Sequence, residues 1–343
     1  MLRTNNRYRG SARSTTVHLT CSVPQGSVLG PILFIMYTVD LVFLVEQHGL
    51  SAHLYADDTQ IYGFCPPSGV SVLLPQITTC VCAVADWMQA NRLQLNCDKT
   101  DFLWLTTSRS QHRLPASGLT IGSTSVLPAT TVRDLGVFID ADLSMRSHVQ
   151  RTVSTCFFSL RRLRSILGHV PLTVFQSLVT ALVLSRLDYC NSVLVGLPAS
   201  LIQRLQSVQN AAARLIYGIR RSEHITDALI SLHWLRVPER IAFKVAVLTY
   251  RALHGTAPPY LTSQFTAVAD VSTRRRLRSS STDQLVVPSY RLSTVGARAF
   301  PIAGACIWNG LPVDVTSAPS LHVFRQRLKT VLFRRSFENI HVI

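Results

Sequence analysis

Lysine is almost missing from this 343-residue chain: of its 34 basic residues, only Lys99, Lys244 and Lys329 are lysines. The remainder are arginines, whose planar fork suits phosphates and base faces better than a point charge does. A nucleic-acid partner is the reading this favours, with a codon bias toward arginine as the plain alternative. Acid is scarce too, and residues 1–39 contain no Asp or Glu. The net charge of +16 is unevenly spread: residues 1–120 carry 8 basic and 7 acidic residues, residues 121–343 carry 26 and 11. The eight cysteines form no Cys-x-x-Cys pair and no Cys/His cluster, which excludes a structural zinc site and points to buried thiols in a reducing compartment. The basic N-terminus "MLRTNNRYRGSARSTT" lacks an apolar core, which excludes a secretory signal and leaves only an Arg and Ser content in common with mitochondrial presequences. A cytoplasmic or nuclear protein, not a secreted one, is expected.

Long apolar runs are also few. The exception, "VLGPILFIMYTVDLVFLV" at residues 28–45, is broken early by Gly30-Pro31 and late by Asp40, so it falls short of the ~20 residues of a membrane span. Read as a helix with Pro31 at its first position, it is expected to bury Ile32, Ile35, Met36, Val39 and Phe43 on one face. No membrane partner is expected.

What is present begins with "HLYADDTQIY", residues 53–62. Apolar and polar residues alternate on both sides of two adjacent carboxylates, which predicts a β-hairpin with Asp57 and Asp58 at its tip. Like charges side by side are either solvated by water on a surface turn or neutralised by a cation. Next comes the loop "CPPSGVS", and then Ile77, Val81, Val84 and Met88 at helical spacing to about Asn91. The stretch "RLQLNCDKTDFLWL" reads as strand, turn over residues 96–99, and strand over residues 102–105. Short strands are expected near residues 119–121 and 135–139. Beyond residue 146 the pattern turns helical, with helices near residues 147–168, 171–187 and 238–254. Another carries Leu201, Leu205, Val208, Ala212 and Leu215 on one face and stops at Gly218. The run "STRRRLRSSS" is a basic link.

The order of these motifs, from "SVPQGSVLGPILFIMYTVDL" through "YADD", "LQLNCDKTDFL" and "VRDLGVFID", resembles the reverse transcriptase palm of non-long-terminal-repeat, LINE-type retrotransposons. Farther on, "LDYCNSVLVGLP", "RLQSVQNAAARLI" and "LHWLRVPERIAFKVAVLTYRALHGTAPPYL" resemble the C-terminal regions of Jockey-like and chicken-repeat-like elements.

The resemblance implies an α+β fold: a partial polymerase palm of antiparallel strands packed with helices, followed by a mainly helical thumb-like and C-terminal region. The expected division is a disordered N-terminus over 1–16, palm over 17–145, helical thumb-like or connection region over 146–270, basic linker over 271–284 and a small module over 285–343. It implies Asp57 as the essential ligand of Mg²⁺ or Mn²⁺ and Asp58 as its neighbour, in two-metal nucleotidyl transfer. It implies that Tyr55 and Ala56 floor the primer end, and that Gln25 and Gly26 form the turn near the nucleotide and template. Lys99 resembles the lysine suggested to protonate pyrophosphate, with a solvated turn lysine as the alternative. Leu135, Gly136 and Val137 resemble the primer grip.

Phosphate contacts are expected from Arg161, Arg162 and Arg164, and from Arg274, Arg275, Arg276 and Arg278; for this second cluster a solvated linker or nuclear-import signal is the alternative. The implied partners are an RNA template, a DNA primer or target, and deoxynucleoside triphosphates. The family also needs a metal-binding Asp upstream of the Gln-Gly turn, and residues 1–39 hold no acid. The expectation is therefore a C-terminal half, catalytically incomplete alone and prone to self-association through an uncovered palm surface. Two other readings stand beside it: a non-catalytic nucleic-acid-binding remnant, and a membrane-associated protein using residues 28–45.

Overall fold

The computed structural model describes residues 3–5, 8–9, 12–13, 17–19, 26–270 and 284–337. The first group is described by its backbone alone, where Arg3–Asn5 pairs antiparallel with Val17–Leu19 and Tyr8–Arg9 with Ala12–Arg13. The fold is α+β. Among the described residues every sheet is a two-stranded antiparallel pair, so the strands are short ribbons that draw their stability from the helices they rest on. Two units form, one of residues 1–104 with 109–129, the other of residues 105–108 with 130–343.

In the first unit, the hairpin Ser51–Tyr55 and Asp58–Tyr62 lies over the 21-residue helix Val70–Ala90 and the helix Asp40–Gln47. Leu41, Val45, Leu73, Ile77, Cys80 and Val84 fill the space between them, joined by Phe102 and Leu119. The long helix starts earlier than its apolar spacing indicates: Pro67–Gly69 forms a 3-10 turn that leads straight into Val70, where Pro67 satisfies a first-turn position needing no N–H donor.

Two further expectations are corrected here. Residues 28–45 do form helix, in two pieces, Gly30–Thr38 and Asp40–Gln47. The face expected to be buried is open: Ile32, Ile35, Met36, Val39 and Phe43 are 48 to 68% exposed, while Leu41 and Val45 are fully covered. The second piece alone rests on the helix Val70–Ala90 and the strand Ser51–Tyr55, and Gly30–Thr38 buries only Thr38. By length and composition, Gly30–Gln47 and Pro67–Ala90 are each apolar enough to cross a membrane.

The strand-turn-strand expected over residues 93–105 is absent. Residues 97–99 make a 3-10 turn, and Phe102 makes one isolated bridge, to Pro128. Strand geometry needs a hydrogen-bonded neighbour along its length, and the hairpin sheet stops at two strands. Phe102 and Trp104 instead spend their apolar surface as packing, edge to face at 5.0 Å.

The second unit holds two cores. The helices Arg146–Arg164, Leu172–Val179 and Ala199–Tyr217 bury Val149, Cys156, Phe175, Leu205 and Val208 against one another. Leu172–Val179 continues through a π-turn, Thr180–Leu184, into Ser185–Asp188. Ala199–Tyr217 ends where its apolar stripe ends, at Gly218, whose φ of +65° is the left-handed cap that glycine adopts without strain.

The other core is built jointly by Val237–Leu253, Phe300–Asn309 and Leu321–Ser336, around Tyr250, Trp308, Phe324 and Leu328. Gly304 permits this packing, since a Cβ there would meet Thr249 Oγ1 at 2.8 Å. Residues 285–337 thus share a core with the preceding helix rather than enclosing their own.

Of the described cysteines only Cys80 and Cys156 are buried, fewer than the composition suggested, and Cys306 is exposed.

Candidate functional site

The hairpin answers why two carboxylates sit together in a β pattern. Its register pairs Tyr55 with Asp58, leaving Ala56 and Asp57 as a two-residue turn. Turns this tight need a left-handed first residue, and Ala56 supplies it at φ +54°. Side chains alternate across the ribbon. Ala52, Leu54 and Ile61 enter the core. Tyr55, Asp58 and Tyr62 take the open face, where Tyr62 stacks on His53 at 5.5 Å. Asp57 and Asp58 are both exposed, and neither has an ion pair among the described residues. Tyr55, 67% exposed, stands across the ribbon from Asp58.

Gly26 has a φ of +88° and nothing within 4 Å of where a Cβ would stand, a backbone open to close approach. Gln25 lies outside the described residues. Lys99 ends the 3-10 turn Cys97–Lys99 and is exposed.

The donor set gives a limited fit to a metal pair. Two adjacent carboxylates supply part of a hard-cation site, but no group of three His, Cys, Asp or Glu side chains comes together among the described residues. A two-metal centre needs more oxygen ligands than these. No step through a metal is therefore derived from this hairpin alone.

In the second unit, Thr131–Asp134 and Val137–Asp140 form another hairpin. Leu135 and Gly136 are its turn, with φ +42° and +84°, so the strand expected over residues 135–139 begins at Val137. Both residues have positive φ, as a type I′ turn requires. The tip is tied down: the Tyr189 hydroxyl donates to the Leu135 carbonyl at 2.6 Å. Val137 is core. Arg161, Arg162 and Arg164 are exposed in the last turn of Arg146–Arg164, where positive charge complements the helix dipole. Arg162 lies over the Phe158 ring at 5.9 Å. Arg274, Arg275, Arg276 and Arg278 lie outside the described residues.

Sequence reasoning missed the polar cluster under this hairpin. Buried Asp140 accepts from Thr131 Oγ1 at 3.0 Å, Ser144 Oγ at 3.1 Å and the Ser147 backbone N–H at 3.2 Å. Burial by itself would raise its pKa, but these hydrogen bonds together outweigh it and hold the carboxyl below its ordinary value. Asp142 behaves alike: burial opposes ionisation, while Ser144, Ser108 and the Arg146 charge favour it, with a net downward shift. Burial pushes the His148 imidazole down, partly countered by Asp140. The signal available in sequence was "DADLSMRSH", acids followed at short spacing by serines ahead of a helix.

Residues 1–139 match the family model described as Reverse transcriptase (RNA-dependent DNA polymerase). The chain is 25% identical over 284 residues to a Drosophila melanogaster protein called Probable RNA-directed DNA polymerase from transposon BS, a similarity that covers 74% of this chain. It spans 29% of that relative's length. No solved structure matches. Asp57, Asp58 and their hairpin fall inside the segment, residues 1–139, that is similar to reverse transcriptases.

Proposed function

We propose that this chain is the metal-facing hairpin and helical nucleic-acid-binding part of an RNA-directed DNA polymerase of a non-long-terminal-repeat, LINE-type element. The observation that carries the reading is the pair Asp57 and Asp58, exposed on a two-residue turn inside the segment matched to reverse transcriptases. Reverse transcriptases as a family are divalent-metal-dependent polymerases acting with an RNA template. For this chain Mg²⁺ is the proposed ion, Asp57 and Asp58 its ligands and Lys99 a proton donor, with deoxynucleoside triphosphates as substrates. Two carboxylates do not complete such a site, so a further ligand has to join them before transfer proceeds.

The proposed holding surface for RNA template and DNA primer is the arginine-rich second unit. Arg146–Arg164 contains five arginines and no acid. The open apolar face of Gly30–Thr38 supports self-association, and a cytoplasmic or nuclear setting belongs to the same reading.

The test is primer extension on an RNA template by the chain alone and by the chain joined to an upstream polymerase segment carrying an acidic palm strand. No extension is expected from the chain alone, and extension that Asp57→Ala abolishes is expected from the joined protein. Extension that survives Asp57→Ala would remove the hairpin from the chemistry.

A further inference from the structure

The motif "LDYCNSVLVGLP" lies past the segment similar to reverse transcriptases, which stops within the hairpin Thr131–Asp134 and Val137–Asp140. It nevertheless reaches that hairpin at its tip, and through one arginine at its exit. A two-stranded ribbon is marginal by itself. This one puts Val137 into the buried core, with Ile139 partly covered, so its placement depends on what holds its ends.

At the tip, the Tyr189 hydroxyl donates to the Leu135 carbonyl, and the ring lies beside Gly136, where a Cβ would already stand 3.4 Å from Cε1. At the exit, Leu143 and Met145 both take left-handed backbone, φ +57° and +59°. Neither is glycine, so this conformation persists only where its surroundings hold it. Arg298 supplies part of that hold: Nη1 donates to the Leu143 carbonyl at 2.7 Å, Nε to the Val195 carbonyl at 3.2 Å and Nη2 to the Val193 carbonyl at 3.5 Å.

These three acceptors are carbonyls, and no carboxylate among the described residues pairs with this half-buried guanidinium. Burial pulls its pKa below the ordinary value. A cation placed so, with hydrogen bonds in place of a counter-ion, joins two segments rather than neutralising a charge. Gly196 makes room for it, since a Cβ there would lie 2.9 Å from Arg298 Cγ. Both ends of the hairpin are thus tied to residues 189–195, and Asp188 beside them is anchored on Arg240.

We propose that this motif is a bracket for the hairpin, with Tyr189 and Arg298 as positioning residues: Tyr189 sets the tip at Leu135, and Arg298 ties the exit at Leu143 to the Val193 and Val195 carbonyls. The hairpin is the one whose Leu135, Gly136 and Val137 resemble a primer grip, so the bracket sets where a primer end is held. That role rests on the polymerase reading above, whereas the bracket rests on the contacts alone. Placement matters because a reacting end displaced by about 1 Å can lose on the order of a hundredfold in rate.

The first measurement is amide hydrogen exchange, resolved by peptide, on the full chain. Tyr189→Phe removes only the hydroxyl. Exchange through Thr131–Asp134 and Val137–Asp140 is expected to quicken about fivefold, the effect of one hydrogen bond, with the thermal midpoint and the exchange of Ala199–Tyr217 unchanged. Arg298→Lys keeps the charge and loses the fork, and the Leu143 and Ser144 amides are expected to exchange about fivefold faster. Should that variant fail a circular-dichroism check of folding, Arg298→Gln decides for this residue. Parent rates in either variant overturn the assignment of that residue. Exchange that quickens only in step with the whole chain reports a general loss of stability and overturns the bracket.

The second measurement is primer extension by the chain joined to an upstream polymerase segment. There Tyr189→Phe is expected to raise KM for primer-template about threefold, a change that a smaller folded fraction cannot produce, since it lowers kcat alone. An unchanged KM beside faster hairpin exchange would overturn the bracket's part in holding the primer. No extension by the joined parent would overturn the polymerase reading and leave the exchange measurement to decide the bracket.

Discussion

Asp188 and Arg240, 52 residues apart, meet in a two-pronged ion pair: Arg240 Nε donates to Asp188 Oδ1 at 2.9 Å and Nη2 to Oδ2 at 2.7 Å. The pair joins "LDYCNSVLVGLP" to "LHWLRVPERIAFK", motifs that share no sequence neighbourhood. The arginine side chain is 15% exposed and the aspartate 41%, so solvent screens the attraction in part. A double-mutant cycle with Arg240→Ala and Asp188→Ala is expected to give a coupling of about 1 kcal/mol in thermal or denaturant unfolding, weakening with salt. Zero coupling at low salt would show the pair to be incidental.

Gln209 is fully buried, donating from Nε2 to the Leu235 carbonyl at 2.8 Å and accepting from Gln206 Nε2 at 3.0 Å. Gln206 Oε1 in turn accepts from the Val237 N–H at 2.9 Å. These two side chains satisfy the backbone where the chain turns into the helix Val237–Leu253. Gln209→Leu keeps the volume and orphans the Leu235 carbonyl, so a loss of about 1–3 kcal/mol is expected. A variant as stable as the parent would mean that water replaces the amide.

Asp140 makes stability depend on acid. Its carboxyl titrates below the ordinary value of 3.8 in the folded chain because three donors hold its charged form. The unfolded chain therefore binds that proton first as pH falls. The contribution is complete above the unfolded carboxyl's pKa and is lost progressively as pH falls through the folded value. Asp140→Asn is expected to be less stable near neutrality and to show a shallower fall in stability below about pH 4. Parallel acid-unfolding curves for the two proteins would contradict this.

Ala56 occupies a left-handed position at the hairpin tip, φ +54°, where a Cβ costs about 1–2 kcal/mol. Ala56→Gly is expected to slow amide exchange through Ser51–Tyr55 and Asp58–Tyr62, and Ala56→Val to speed it. The reverse order would mean that the turn is held by something other than its own backbone.

The sequence by itself determined the parts whose order rests on local chemistry. Alternation on both sides of Asp57 and Asp58 marks the hairpin, and the Leu201, Leu205 and Val208 stripe ending at Gly218 marks a helix whose bounds prove to be Ala199–Tyr217. Periodicity states which residues share a face, because it depends only on the repeat of the backbone. Only the tertiary structure decided which faces are covered. The stripe through Ile32, Ile35 and Met36 is as apolar as a core stripe and yet stands 55 to 68% exposed. Phe102 and Trp104 read as strand and serve as packing, since a strand exists only with a partner. Arg133 and Arg151 are two arginines among many in sequence; their meeting on Phe138 follows from a hairpin register and a helix face that no local pattern encodes.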